Sequence, residues 1–370
     1  MRCRITLLTL ILLITVPNLY AQSTVGIISY LEGEVAVARN GKYLNPDEVT
    51  IGLEVGSFDT VETGADGYVE LQMNTPISGS RVRVRPSSTF YFKNTPRTSK
   101  ASSMTFQLLR GSLALKVGRL LRLDSYAVQT DYAAITVRGT DFSVDISQNR
   151  STLVSVSEGI VRSEVLGRSV LVEPGIVALV DQNARLSIEI VDKADLEMYR
   201  QFWHKRRLEA LRINASLSIQ HYSRLWDHQL PRLRHAMTEL ESHIEIFQRW
   251  SDFADSPEKV PPFVSEIIRD EIALSKGMLA LRAILPLAER TYYTLLDLRD
   301  VYEQGYAEGQ FSAGQYRDAA DFYASFQTYE VEMRSTLGRA RWMIEIYGIL
   351  NSEKANLLNS NMPSPDFISR

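Results

Sequence analysis

The spacing of apolar residues changes once along this chain, near Asp192, and this change limits the possible folds more than any other feature. Before Asp192, short runs of alternating apolar and polar residues are separated by Gly, Asn and Pro, which is typical of β-strands. After it, apolar residues recur every three or four positions, as on a helix. The sequence therefore predicts two domains, an all-β domain over 22–191 and an all-α bundle over 192–358.

The first half contains short strand candidates about ten residues apart and no long helical pattern. This spacing favours a sandwich, a barrel or a solenoid-like coil of short strands. The clearest candidates are the runs at 34–39, 68–73, 81–85, 89–93, 112–117, 152–157, 176–180 and 185–190.

The second half reads as four or five helices. Asp192 or Asp195 is placed to cap the first of them, and Pro231 is predicted to kink or divide a long helical segment. A loop is expected over 255–262, followed by a helix from about Phe263 to about Tyr302 that is disturbed at Pro286.

A turn is predicted over 308–315, where Ser312 and Gln315 have the spacing of a capping box. This box would start a last helix that ends near Leu350, and the polar residues 359–370 then read as a disordered tail.

Residues 1–21 have the layout of a secretory signal peptide. A basic start is followed by a twelve-residue run over 5–16 that is apolar except for threonine, then by Pro17, and the stretch ends on the small residue Ala21. Twelve residues are too few to cross a bilayer, which takes roughly 20. The pattern predicts export to the periplasm and no membrane span in the mature chain.

The composition excludes several classes of function. The single cysteine, Cys3, lies inside the predicted leader, so the mature chain has no disulfide and no thiolate metal site. The net charge is −3 with both signs spread along the chain, which predicts no nucleic-acid partner.

In the stretch 134–147, the apolar residues of the alternating pattern shift in phase from odd-numbered to even-numbered positions. Because side chains alternate between the two faces of a strand, one residue must be absorbed for all its apolar side chains to point inward. Gly139 is the natural place for such a bulge or corner. The side chains predicted to point inward are Ile135, Val137, Phe142, Val144 and Ile146.

The same stretch resembles the signature of the FecR domain. Val137-Arg138-Gly139-Thr140 is followed one residue later by Phe142, and a second strand over 152–161 carries Gly159. Further segments resemble the family in the same order, so the likeness extends over about 25–190. The motif residues, with either a structural or a partner-contact role, are Arg138, Gly139, Thr140, Phe142 and Gly159.

The resemblance implies a periplasmic, non-catalytic β domain. In the founding type of the family, this domain relays a signal from an outer-membrane transporter through one membrane span to a cytoplasmic anti-sigma segment. Here the β domain follows the predicted leader directly, so we expect no sigma-factor control by that route. The helical half resembles no family that we recognise.

Three arginines on one strand form a possible anion site. Arg81, Arg83 and Arg85 alternate with valines, which places them on one face about 6.8 Å apart. They would suit a glycan carboxylate or a lipid phosphate. The competing interpretation is a solvated face that is paired with acidic neighbours.

Catalytic and metal chemistry find little support in the sequence. Asp141 and Asp145 are predicted to point outward on one strand, with Glu158 nearby, as surface carboxylates. The histidines lack the i, i+3 or i, i+4 spacing of chelating pairs, and no catalytic, cofactor or metal residue is predicted. The five histidines are His204, His221, His228, His235 and His243.

The leading hypothesis is an exported, non-enzymatic binding or scaffold protein of the cell envelope, whose partner is an envelope protein or glycan. One alternative is an envelope glycan hydrolase that uses Asp or Glu residues in a groove between the domains. Another is a periplasmic sensor that acts with a separate membrane partner. The sequence leaves the oligomeric state open.

Overall fold

A computed structural model describes residues 24–74, 79–94, 103–118, 125–137, 139–255, 262–307 and 310–360. The predicted leader, Arg138 and residues 361–370 of the predicted tail lie outside the described residues. Residues 24–190 form strands and residues 196–360 are mainly helical, so the predicted fold class is confirmed.

Strands occur at all eight predicted runs, and the described residues contain further strands between them. The strands of the first half are β1 (Thr24–Glu32), β2 (Val35–Arg39), β3 (Lys42–Tyr43), β4 (Glu54–Gly56), β5 (Thr60–Thr63), β6 (Tyr68–Met73), β7 (Arg81–Val84), β8 (Thr89–Asn94), β9 (Ser103–Lys116), β10 (Ser125–Gln129), β11 (Ala134–Val137), β12 (Asp141–Ile146), β13 (Thr152–Glu158), β14 (Val161–Val165), β15 (Arg168–Val172), β16 (Ile176–Val180) and β17 (Leu186–Ile190).

The strand pairings form two sheets that share one strand. Sheet A has the order β4, β1, β6, β7, β9, β12, β13, β16, β17. Sheet B has the order β3, β2, β5, β8, β9, β10, β11, β14, β15. Strand β9 begins in sheet B and ends in sheet A, and its pairing with β10 is the parallel one.

The core of the β half lies between the two sheets, which remain open at their edges. Each strand sends every second side chain inward, so the alternation seen in the sequence becomes two facing apolar layers. Of the three architectures that the sequence favours, a sandwich, a barrel and a solenoid-like coil, the sandwich is therefore the one observed. Fully buried examples include Ile28, Val37, Leu71, Phe92, Phe106, Val128, Ile135, Val144 and Val161.

The described residues of the second half form five α-helices. Both prolines lie within continuous helices, so Pro231 does not divide its helix, while a kink at Pro231 and a disturbance at Pro286 stay predictions. The first break falls instead at Asn214, and Leu230 and Leu233, which flank Pro231 within α2, are buried. The helices are α1 (Leu196–Ile213), α2 (Ala215–Glu241), α3 (Ile244–Asp255), α4 (Val264–Glu303) and α5 (Ala319–Ser360).

The turn before the last helix differs from the prediction. Ser312 belongs to a β-hairpin of β18 (Gln310–Ala313) and β19 (Tyr316–Asp318), so it forms no capping box with Gln315. The start of α5 is capped by Asp318, whose carboxylate accepts from the Asp321 N–H at 2.8 Å. The helix also runs past Leu350 to Ser360. By contrast, Asp192 acts as a cap before α1, because its side chain accepts from the Ala194 N–H.

Helices cover both outer faces of the sandwich. Trp203 of α1 packs on sheet A against Leu153, Val177 and Leu179. On the opposite side, Tyr91 and Leu109 point outward from sheet B into the helical core formed with α4 and α5. Among the described helices, none is both long and apolar enough to cross a membrane.

Candidate functional site

The phase slip marks the place where the chain crosses from one sheet to the other. Strand β11 ends in sheet B at Val137, and β12 begins in sheet A at Asp141. Gly139 between them has a φ of +60°, a left-handed conformation that favours glycine. The five apolar side chains predicted to point inward are all buried, at 0–5% exposure. The predicted corner at Gly139 therefore keeps both strands facing the same core.

The other family-motif residues pack around this corner. Thr140 is 2% exposed and Phe142 is 1% exposed. Gly159 has a φ of +87°, and a Cβ added to it would lie 2.6 Å from Cγ2 of Thr140. Gly159 thus allows the end of β13 to lie directly on the crossing. Arg138 lies outside the described residues, and a partner contact by this motif stays a prediction.

The arginine row lies on the outer face of sheet A, where each arginine has a carboxylate neighbour. Arg83 Nε lies 3.2 Å and Arg81 Nη1 3.5 Å from the carboxylate of Glu70 on the adjacent strand. Arg85 instead lies 3.7 Å from Glu197 of α1. The structure therefore separates Arg85 from the other two. Anion binding by these residues stays a prediction.

Asp145 differs most from the sequence-based expectation. It was predicted as a surface carboxylate, but it is fully buried because α1 covers the outer face of β12. Arg200 Nε lies 3.0 Å from both carboxylate oxygens, Ser112 Oγ donates at 2.6 Å, and His204 Nε2 lies 3.3 Å away. The prediction was wrong because alternation in a strand identifies a face but does not indicate what covers it.

The pKa of Asp145 reflects these neighbours. Burial raises the pKa of the carboxyl, while the hydrogen bond from His204 and the positive charge of Arg200 lower it further than burial raises it, to about 2. Asp145 is therefore a permanent anion that ties α1 to sheet A. Asp141 and Glu158, the other predicted surface carboxylates, face each other across β12 and β13.

A second buried charge centre joins sheet B to the long helices. Arg341 of α5 donates to Glu289 Oε1 at 2.6 Å, to Thr60 Oγ1 at 2.9 Å and to the Tyr293 hydroxyl at 3.1 Å. Its guanidinium also lies 5.0 Å from the ring centre of Tyr91. Arg341 is 2% exposed, so one side chain connects both domains in a dry environment.

Further ion pairs continue along this interface. Arg110 of β9 lies 2.9 Å from Asp297 and 3.1 Å from Asp300, both on α4, and Arg334 of α5 pairs with Glu62 of β5. Burial raises the pKa of Asp297 to about 6, against the opposing charge of Arg110. The ion pairs between the β half and the helices thus include arginines from both sides, Arg110 from the sheet and Arg334 from α5.

A groove of about 240 Å³ opens at this boundary, and three of the four carboxylates that line it, all except Glu34, pair with arginines. Glu62 pairs with Arg334, Asp300 with Arg110, and Glu330 with Arg299 at 2.5 Å. A general acid must exchange its proton with a substrate, and a carboxylate fixed by a guanidinium is poorly suited to do so. Among the described residues, no group of three His, Cys, Asp or Glu side chains could hold a metal ion.

Sequence reasoning missed the residues that build this interface. Arg341 and Thr60 are 281 positions apart, and nothing in the local pattern around either residue marks the contact. The only available signal was the arginine content of the last helix, which also suits a solvated surface.

The family of the β half is identified by comparison with known proteins. Residues 59–162 match the family model described as FecR protein. The chain contains a FecR domain. The match includes the crossing at Gly139 and the strand that leads to Gly159, so the family predicted from these residues is confirmed. No curated protein matches the chain.

Two crystal structures of a candidate anti-sigma factor from Parabacteroides distasonis ATCC 8503, at 1.65 and 2.50 Å resolution, are similar to part of the chain. Each has 18% sequence identity and a TM-score of 0.33 and covers 38% of this chain. The chain spans 64% of the length of each of these structures.

Proposed function

We propose that this chain is an exported, non-catalytic binding protein of the cell envelope with a signalling or regulatory role. The leader predicted at 1–21 would place the FecR domain in the periplasm, and the partner would be an envelope protein or glycan. The helical half would act as a scaffold that carries the FecR domain.

The observation that carries this proposal is the buried charge network between the FecR domain and the helices. Arg341, Arg334 and Arg110 connect the two halves through partners with defined geometry, and buried ion pairs of this kind fix orientation more than they add stability. A partner that binds one half would therefore meet a unit whose two halves move together, as a signalling scaffold requires.

A hydrolase that works in the interdomain groove has less support. The groove is lined by four carboxylates, and three of them, Glu62, Asp300 and Glu330, already have an arginine partner, which leaves Glu34 without a second free carboxylate to act with it. These ion pairs occupy carboxylate oxygens that a general acid or base would need to direct at a substrate.

Affinity capture tests the proposal. The mature chain is used as bait in cross-linked envelopes of its own cells, beside a variant with Arg81→Ala and Arg83→Ala and a matched helical-surface variant, Arg232→Ala with Arg269→Ala. We expect one envelope protein or glycan to be recovered reproducibly with the wild-type bait. The two variants would show which half the partner contacts.

Two results would overturn the proposal. One is the repeated recovery of no specific envelope component. The other is hydrolysis of isolated cell-wall glycan by the purified protein, abolished by Glu62→Gln while the fold is retained, since this result would place the activity in the groove.

A further inference from the structure

Strand β17 is an edge of sheet A with an open side. It pairs with β16 in an unbroken register of five residue pairs, from Ile176–Ile190 to Val180–Leu186, and with no other described strand. Isolated edges usually carry a proline, a lysine or a bulge that prevents further pairing. The sequence Leu186–Ile190 has none of these, so this edge can accept another strand.

The main-chain groups of β17 alternate between β16 and the open side. At its two ends, the Arg185 carbonyl accepts from the Asp181 N–H and the Val191 N–H donates to the Gly175 carbonyl, so the odd-numbered residues bond toward β16. The even-numbered residues Leu186, Ile188 and Ile190 therefore direct their N–H and C=O groups outward.

Apolar side chains lie on both sides of this edge. Ile188 and Ile190 are 54% and 90% exposed on the face of sheet A that looks toward sheet B. On the other face, the Tyr199 hydroxyl of α1 donates to Glu189 at 2.8 Å. The edge thus has apolar contact area available beside its free main-chain groups.

Helix α1 extends this apolar area past the edge. Going around α1, successive side chains contact successive strands of sheet A. Arg200 contacts β12, Trp203 packs on β13 and β16, and Tyr199 contacts β17. At 100° per residue, Met198 and Phe202 come next on the same flank. Both are exposed, at 66% and 56%. A strand added to β17 would lie beneath this pair.

The charges beside the edge are self-complementary. If two copies of β17 pair antiparallel about Ser187, Arg185 of each copy lies opposite Glu189 of the other, and Leu186 lies opposite Ile188. This register also brings the outward N–H and C=O groups of Leu186 and Ile188 into hydrogen-bonded pairs. Shifting the register by two residues in either direction loses both ion pairs.

We propose that β17 joins two copies of this chain into a symmetric dimer, in which sheet A continues across a two-fold axis at Ser187. Met198 and Phe202 of each copy cover the neighbouring strand. This dimer is independent of the identity of any envelope partner, so it goes beyond the function proposed above.

A cysteine at the axis tests the register. The mature chain has no cysteine, and facing residues in a non-hydrogen-bonded antiparallel pair are close enough for a disulfide. We expect Ser187→Cys to form a covalent dimer on mild oxidation. The control is Ser169→Cys, which is exposed on β15, the edge strand of sheet B. Equal rates of cross-linking for the two variants would overturn the proposal.

Charge reversal supplies a second, independent measurement. Sedimentation equilibrium should show Arg185→Glu and Glu189→Arg to be monomeric at concentrations where the wild type is dimeric, and the double variant should dimerise again. A merely structural defect would not be rescued by the second change. A wild-type protein that remains monomeric at every concentration overturns the dimer.

The outcomes keep the two proposals apart. If the edge variants lose capture of an envelope protein while the wild type alone is monomeric, the strand that pairs with β17 belongs to another protein, and the second copy is excluded. The proposed binding function would stand in that case. If the dimer forms but nothing is captured from the envelope, the binding function fails and the dimer stands.

Discussion

The two outer faces of the sandwich are both covered by helices, but different chemistry holds the helices in place. On sheet A, α1 docks through an apolar strip around Trp203 and one buried carboxylate, Asp145. On sheet B, α4 and α5 dock through several ion pairs centred on Arg341. One face therefore depends mainly on apolar packing, and the other on matched charges.

The difference between the two faces parallels how far apart in sequence each helix lies from the strands that it covers. Asp145 and its partner Arg200 are 55 residues apart, and α1 follows β17 almost directly. Arg341 and Thr60 are 281 residues apart. A helix that follows its sheet directly has few ways to dock, whereas distant helices can slide along a sheet. We infer that the charges on sheet B select one register among several of similar apolar contact.

The sheet B face should respond most strongly to the loss of one charge. Replacing Arg341 with Ala leaves Glu289 buried without its partner, which should lower the free energy of unfolding by about 3–5 kcal/mol. Urea unfolding followed by tryptophan fluorescence measures this change, because all four tryptophans lie in the helical half.

Two further variants sharpen this measurement. Adding Glu289→Gln to Arg341→Ala should recover part of the loss, since the stranded charge is removed. Arg83→Ala, which breaks an exposed ion pair on sheet A, should cost no more than about 1 kcal/mol. Similar losses for Arg341→Ala and Arg83→Ala would contradict the distinction between the faces.

The contribution of ionised Asp145 on the sheet A face to the free energy of unfolding should be lost in acid. The pKa of Asp145 is lowered from 3.8 to about 2 in the folded state, so its ionised form stabilises the fold above about pH 4. At 1.36 kcal/mol per pKa unit, this contribution is about 2 kcal/mol, and it is lost as the pH falls from about 4 to about 2.

Asp145→Asn removes the titrating group and so tests this dependence. The difference in unfolding free energy between wild type and variant should be largest above pH 4 and shrink toward pH 2. Urea titrations at a series of pH values measure it. Parallel curves for the two proteins would show that Asp145 does not link α1 to the sheet.

The crossing between the sheets should show a smaller effect than the loss of Arg341, and one similar to that of Asp145. Gly139→Val forces a β-branched side chain into a left-handed conformation and should destabilise the protein by about 1–3 kcal/mol. Thermal unfolding measures the loss. Gly348→Ala is the matched control, because it lies in α5 with open space around its Cβ position. An unchanged melting temperature for Gly139→Val would exclude a special backbone at the crossing.

Local patterns predicted the elements, the family and the corner at Gly139. They succeeded because alternation, helical spacing and glycine preference act between neighbouring residues. They failed where tertiary packing decides, as when α1 buries Asp145. The charge network on sheet B joins residues hundreds of positions apart, so no local signal could reveal it.

Strand β9 has a consequence for the order in which the chain folds. It hydrogen bonds to β7 and β8, which precede it, and to β10 and β12, which follow it. A chain that has emerged only as far as Lys116 therefore holds half of each sheet and can complete neither. Both sheets also need strands from β13–β17, so the two cannot both be completed before the chain is made as far as Ile190.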